Sequence, residues 1–254
     1  MARQKLGQHF LTSGSVLERI AAAVCPQPPG CPSGPAVIEI GPGRGALTAK
    51  LLERASRVIA IELDPYLAGH LRSKFQGEPR LEIVEADVLA TDLAQWGRLP
   101  MAGNLPYYIA SPILEKTVRL GAPRAVFLIQ KEVAERLVAA PGGRDYGYLT
   151  VQTALFATAR LLFHVKQGAF RPPPKVDSAV VLLEPRPVRW GIENADDFLR
   201  FVSLCFRQKR KTLRNNLAEA YGKDRVDAWP EAGLRAEQIP MEGFIEMYRR
   251  LEER

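Results

Sequence analysis

The stretch Ile38-Glu39-Ile40-Gly41-Pro42-Gly43-Arg44-Gly45-Ala46 constrains the chain more than any other, because it runs from an apolar β-branched segment through glycines straight into a helical pattern. Glycines at 41 and 43 let the backbone turn sharply and let a ligand approach without a Cβ in the way. The following sequence repeats the arrangement. Strand candidates at Val37–Ile40, Val58–Ile61, Leu81–Val84, Met101–Gly103 and Ala125–Ile129 alternate with helical patterns at Ala46–Leu52, Tyr66–Phe75 and Ile113–Arg119. Alternation at this spacing predicts an α/β domain whose central sheet is mostly parallel and covered on both faces. Taken alone, the glycines also fit a loose dinucleotide fingerprint ending at Ala46, so a nicotinamide enzyme stays open at this point.

Further along, Tyr148–Ala159 reads as a helix, and Leu161–Val165 and Ala179–Leu183 as strands. After Glu184-Pro185-Arg186-Pro187 the pattern becomes wholly helical. Phe198, Phe201, Val202 and Cys205 keep i, i+3, i+4, i+7 spacing, as do Phe244, Met247, Tyr248 and Leu251. A boundary near residue 187 divides the chain into an α/β domain, 1–187, and a small all-α domain, 188–254.

Open α/β sheets bind ligands at the carboxyl ends of their strands, and the acids there are therefore informative. Asp64 precedes Pro65, the pairing of a helix N-cap with proline at the first helical position, so its carboxylate has a structural task. Glu62 is left free to accept hydrogen bonds from ribose hydroxyls. Asp87, after the third strand, lies next along the same edge, within reach of an adenine amine.

The fourth strand ends Gly103-Asn104-Leu105-Pro106-Tyr107-Tyr108. The exocyclic amine of adenine is a poor nucleophile because its lone pair is delocalised into the ring. The side-chain oxygen of Asn104 and the backbone carbonyl of Leu105 can each accept one N–H, which draws the nitrogen toward pyramidal geometry and frees the lone pair. Pro106 fixes the backbone, and Tyr107 offers a face on which an extruded base can stack. Such chemistry rests on alignment and needs no strong base. Accordingly His70 and His164 read as surface or packing residues, and no catalytic dyad or thiol nucleophile is expected.

The net charge is +7, unevenly spread. Asp145 to Asp177 holds Arg160, Lys166, Arg171 and Lys175 with no acid between. Asp197 to Glu219 holds Arg200, Arg207, Lys209, Arg210, Lys211 and Arg214, again with none. Two acid-free basic segments suggest a phosphate-facing surface. On one continuous helix, Arg207, Arg210, Lys211 and Arg214 share a face, with Leu213 and Leu217 anchoring it; a turn within the segment would break that alignment. Beyond Arg3 and Lys5 the longest apolar run, Ile20 to Val24, is too short for a signal segment or membrane span, which predicts a cytoplasmic protein with no membrane partner. Cys25, Cys31 and Cys205 lack metal-ligand spacing, so reduced thiols and no metal are expected.

Taken together, these motifs resemble the KsgA/RsmA family of small-subunit (16S) rRNA adenine N6-dimethyltransferases. The likeness runs from Leu6-Gly7-Gln8-His9-Phe10-Leu11 through Glu39–Gly43, Ile61–Asp64, Gly103–Tyr107 and Gln130-Lys131-Glu132-Val133. It continues in Ala169-Phe170-Arg171-Pro172-Pro173-Pro174-Lys175-Val176-Asp177-Ser178 and ends in Arg207–Asn215. The resemblance implies a Rossmann-like class I methyltransferase domain that uses S-adenosyl-L-methionine, with His9, Leu11, Gly41, Glu62, Asp87 and Asn104 at the cofactor. It also implies that Asn104, Leu105, Pro106, Tyr107 and Phe170 form the catalytic surround of the target adenine. Arg207, Lys209, Arg210, Lys211 and Arg214 would bind 16S rRNA in the small ribosomal subunit or its precursor. The expected protein is a monomer acting in small-subunit biogenesis, dimethylating two adjacent adenosines of the 3′-terminal hairpin loop. His9 stands where the commonest family form has Asn. Rival readings are a resistance-type methyltransferase acting on large-subunit rRNA and a non-catalytic ribosome-assembly factor.

Overall fold

The computed structural model describes residues 9–30, 34–186 and 190–252; Leu6, Gly7, Gln8, Cys31 and Pro187 lie outside them, as do Arg3 and Lys5. The chain divides into two compact units, Met1–Ala134 with Ala157–Pro185, and Glu135–Phe156 with Arg186–Arg254.

In the first unit a short strand, β1 (Phe10–Leu11), precedes α1 (Gly14–Val24). Then come β2 (Ala36–Ile40), α2 (Ala46–Leu52), β3 (Arg57–Glu62), α3 (Pro65–Lys74), β4 (Leu81–Glu85), β5 (Met101–Asn104), α4 (Ala110–Leu120) and β6 (Ala125–Gln130). The helix α5 (Lys131–Leu137) leads out of this unit and α6 (Tyr148–Phe156) leads back. β7 (Ala157–Val165), β8 (Phe170–Arg171) and β9 (Ser178–Pro185) complete the unit. Seven strands form one sheet in the order β4-β3-β2-β5-β6-β9-β7, while β1 pairs with β8 as a separate two-stranded ribbon. The first five strands are mutually parallel; β9 is antiparallel to both β6 and β7.

The apolar sequence runs explain this arrangement. Val37, Val58, Ala102, Val126 and Val180 lie in one fully buried cluster with Leu17, Ile20 and Val24 of α1 and Leu47 and Leu51 of α2. Each of the Val, Leu and Ile side chains contributes roughly 1.5–3 kcal/mol relative to exposure. From β2 the chain works outward to β4, then returns to place β5 on the other side of β2. The strand order therefore reverses between β2 and β5, opening a crevice at their carboxyl ends.

Two features depart from the sequence-based expectation. The helix read as Tyr148–Ala159 stops at Phe156, and Ala157–Ala159 instead begins β7, where Ala157 faces Pro185 and Ala159 faces Leu183. Alanine carries no period of its own, so the ladder with β9 decides the conformation. Secondly, residues 135–156 fold with the C-terminal helices, because Tyr146 and Val151 enter that core and the Gly142 N–H donates to the Glu237 carbonyl at 2.7 Å. A single boundary near residue 187 thus describes only the last of the chain's three crossings between the units.

The second unit comprises α6 together with α7 (Ala195–Cys205), α8 (Leu213–Tyr221), α9 (Lys223–Asp227) and α10 (Met241–Glu252). Phe198, Phe201, Val202 and Cys205 of α7 meet Phe244, Met247 and Tyr248 of α10 in one buried cluster, as their spacing predicts. The basic segment is not a continuous helix. α7 ends at Cys205 and α8 begins at Leu213, with a turn between. Buried Asn216 holds that turn by donating from Nδ2 to the carbonyls of Cys205 at 2.8 Å and Gln208 at 3.3 Å. These carbonyls at the helix end are thereby satisfied without further helix. Leu213 and Leu217 are fully buried anchors.

At Gly103 in β5, a Cβ would lie 2.5 Å from the Ile40 carbonyl oxygen of the neighbouring strand and 3.1 Å from the Leu105 side chain. Gly103→Ala is expected to lower stability by about 1–3 kcal/mol, read as an earlier urea midpoint with unchanged slope. Gly69→Ala, in α3 with nothing within 4 Å, should be neutral or stabilising by up to about 1 kcal/mol.

Candidate active site

A cleft of about 190 Å³ opens at the carboxyl edge of the sheet, at the β2/β5 reversal. It is lined by His9 to Thr12, Glu39, Gly41 to Arg44, Glu62 and Asn104 to Tyr107, among others. The glycine loop forms its floor. Gly43 has φ +58°, and a Cβ there would meet the Phe10 ring at 3.1 Å, so the N-terminal strand closes directly over the loop.

Glu62, 6 % exposed at the end of β3, ties this floor together. Its Oε2 accepts the Gly43 N–H and its Oε1 the Asp64 N–H, both at 3.0 Å. Burial pushes its carboxyl above the usual range, against the pull of these N–H groups. Asp64 caps α3 by accepting the Tyr66 N–H at 2.9 Å, with Pro65 at the first helical position. Each Glu62 oxygen keeps a lone pair for a further donor.

The opposite wall carries Asn104. Its Nδ2 donates to the His9 backbone carbonyl at 2.9 Å. A carbonyl can only accept, so the amide must present its NH₂ to His9, and Oδ1 is left for the cleft. His9 is held in turn by its Nδ1, which donates to the Pro172 carbonyl at 2.9 Å. The His9 ring stacks beside Tyr107 with centroids 5.9 Å apart and planes inclined by 28°. The Tyr107 hydroxyl is fixed on Ser178 Oγ at 2.7 Å, and burial raises its pKa.

Of the residues picked out in the sequence, His9, Leu11, Gly41, Glu62, Asn104, Leu105, Pro106 and Tyr107 come together in this cleft. Asp87 does not line it. It sits exposed on the turn after β4, with Oδ1 accepting the Leu89 N–H at 2.8 Å. Nor does Phe170, which is fully buried in the hydrophobic cluster beneath β1 and presents no face to a base. Its strand neighbour Arg171 lines the cleft instead.

Glu39 is a further residue at the cleft, beyond those its sequence motif singles out. It is 1 % exposed, borders the cleft, and its Oε2 has no hydrogen-bond partner among the described residues. The signal was available, since an acid embedded in Val37-Ile38-Glu39-Ile40 needs a reason to be there. A glycine floor without side chains, two buried carboxylates and an inward amide oxygen suit a nucleoside carrying a cationic chain. Among the described residues no cluster of His, Cys, Asp and Glu could hold a metal ion, and no helix is long and apolar enough to cross a membrane.

Fold and cleft together define a class I S-adenosylmethionine-dependent methyltransferase. The family can be fixed more closely, for the sequence model of ribosomal RNA adenine dimethylases matches residues 1–253. The chain belongs to the ribosomal RNA adenine dimethylase family. It is 40% identical to the ribosomal RNA small subunit methyltransferase A of Acidobacterium capsulatum, over 99% of this chain and 92% of that one. It is 41% identical to the same-named protein of Chlorobium luteolum, over 97% and 89%. Among solved structures, a dimethyladenosine transferase from Plasmodium falciparum superposes with a TM-score of 0.80 at 27% identity, covering 96% of this chain and 98% of that one. The 23S rRNA methyltransferase ErmE gives 0.71 at 29%, covering 96% and 99%. The nicotinamide alternative that the glycines alone left open is thereby removed.

If Glu62 holds the ribose of S-adenosylmethionine, Glu62→Ala should weaken cofactor binding by about 1.5–3 kcal/mol through loss of charge-assisted hydrogen bonds. Titration calorimetry on the folded variant checks this; unchanged affinity would remove Glu62 from the cofactor site.

Proposed function

We propose that the protein transfers methyl groups from S-adenosylmethionine to N6 of two adjacent adenosines in the 3′-terminal hairpin loop of small-subunit rRNA, two methyls to each. The observation that carries this is the orientation of Asn104. With Nδ2 committed to His9, its Oδ1 is an acceptor facing the cleft beside the Leu105 backbone, the pair needed to hold the two N–H bonds of an adenine amine. Bound in the cleft, S-adenosylmethionine supplies an electrophilic methyl group. Glu62 would hold its ribose, and where the adenine extends past the cleft to the turn after β4, the exposed Asp87 would meet its amine. Tyr107, its hydroxyl anchored, offers the ring against which the extruded target base lies. Once methylated, the nitrogen is acidic enough to lose its proton without a dedicated base, so the protein's contribution is alignment.

Asn104→Ala should leave cofactor affinity within about tenfold while lowering the single-turnover rate by at least about two orders of magnitude, because the amide acts mainly in the transition state. A near-normal chemical step in this variant would refute the role.

We further propose that the second unit grips rRNA phosphates, with a narrower set of cations than the sequence suggested. Arg207 pairs with Glu219 at 2.6 Å, Arg214 with Asp227, and Lys209 donates to the Arg144 carbonyl. Arg210 and Lys211 are exposed, and their side chains have no partner among the described residues. These two carry the electrostatic contribution. Replacing both with Ala should make the salt dependence of binding to small-subunit particles shallower by about one to two units and leave cofactor affinity unchanged. An unchanged slope would show that the RNA lies elsewhere. Methylation assayed on small- and large-subunit particles tests the substrate, and preference for the large subunit would assign the protein to the resistance type, a reading that its likeness to ErmE keeps specific.

A further inference from the structure

Glu39 has no task in the mechanism so far, yet its setting is unusual. It lies within β2 and is 1 % exposed, with its side chain on the cleft. Whereas both oxygens of Glu62 receive backbone N–H groups, Glu39 Oε2 receives none among the described residues. The charged groups around it do little to help. Glu62 on β3 repels it, and Lys74 on α3 attracts it, but the Lys74 ammonium is already tied to the carbonyls of Arg44 at 2.8 Å and Gly45 at 3.2 Å. From α2, Thr48 offers its hydroxyl and backbone N–H to the carboxyl, which partly offsets the cost of burial, and Asn104 of β5 borders the same cleft. Arg44 and His9 border the same cleft, with Arg44 stacked over the Phe10 ring at 4.6 Å. A buried carboxyl with no donor at one oxygen and a second acid beside it favours the neutral acid. Burial first, then the Glu62 charge, raises it to about 8.

We propose that Glu39 carries a proton in the free protein and releases it to solvent on binding a cationic centre of S-adenosylmethionine, so that cofactor binding and loss of one proton form a single equilibrium. The inference rests on the cofactor assignment above and deepens it. No bond but the O–H of Glu39 breaks; the proton goes to buffer and the carboxylate remains as counter-charge to the ligand. The ligand offers two such centres, its ammonium and its sulfonium. S-adenosylhomocysteine keeps the first and lacks the second.

Two consequences can be measured. Cofactor affinity should rise with pH between about 6 and 8, by up to about tenfold per unit for one linked proton. The stability of the free protein should move the other way. Because the folded-state value lies above the unfolded one, the native state binds more protons between them, and this group's contribution falls as pH rises from about 5 toward 8.

The test is titration calorimetry of the full chain with S-adenosylmethionine at pH 7 in phosphate and in Tris, whose ionisation enthalpies differ. Wild-type protein should release about one proton per cofactor bound, whereas Glu39→Gln, equal in shape and unable to ionise, should release none and bind with an affinity independent of pH. Release with both S-adenosylmethionine and S-adenosylhomocysteine assigns the counter-charge to the ammonium; release with the first alone assigns it to the sulfonium. A wild-type count of zero, or the same count in Glu39→Gln, overturns the proposal. His9→Asn serves as the second variant: loss of the released proton there, with retention in Glu39→Gln, would transfer the effect to the histidine and overturn it as well. Should Glu39→Gln fail to fold, the wild-type pH dependence decides, and an affinity flat between pH 6 and 8 overturns the proposal. Failure of the cofactor assignment looks different, since no binding would then be seen in any buffer.

Discussion

The bond from the Gly43 N–H to the buried carboxyl of Glu62 joins the carboxyl ends of β2 and β3 at the floor of the cleft. Parallel strands alone do not make a site; their loops could splay in any direction. Glu62 draws the glycine loop toward β3, and its second oxygen, on the Asp64 N–H, fixes the entry to α3. Asp64 can then serve wholly as a cap. The floor of the cleft is set by one side chain, and the rest is built above it: Phe10 on the loop, and His9 reaching Asn104.

Much of this was legible in the sequence, for an identifiable reason. β2, β3, β5 and β6 carry the apolar runs of buried strands, and β3 and β5 end at the polar residues Glu62 and Asn104. Glu62 and Asn104 could be placed at the cleft because position and chemistry agreed. Where they could be read separately, the sequence misled. Phe170 stands in a distinctive Phe-Arg-Pro-Pro-Pro segment, but burial takes its ring into the core and leaves the cleft to Arg171. Ala157–Ala159 has no pattern that resists a helix, and only pairing with β9, more than twenty residues downstream, makes it a strand. The turn after Cys205 depends on Asn216, whose amide gives no advance notice of which carbonyls it will meet.

Charge shows the same division between composition and structure. The acid-free basic stretches are real in sequence, but folding brings acids from elsewhere to many of their members. Arg160 meets Glu184, Lys166 meets Asp177, and Arg207 and Arg214 meet Glu219 and Asp227. Exposed pairs of this kind contribute little stability. Their effect is subtractive, since a cation already facing a carboxylate offers less to a phosphate. What remains is a sparser and more directional pattern than a count of lysines and arginines suggests.

The ribbon of β1 and β8 has a consequence for the order in which the molecule is built. His9 and Pro172, whose hydrogen bond ties the wall of the cleft, are 163 residues apart in the chain. At ordinary rates of synthesis roughly 10–30 s separate the appearance of the first from the second. Throughout that interval the amino-terminal segment has no strand to pair with, and the side-chain amide of Asn104 has no fixed carbonyl to orient it. Helices and parallel strands between them can settle by contacts closer in sequence. The fixed orientation of the Asn104 amide therefore arrives late, when an early segment of the chain is finally met by one made long after it.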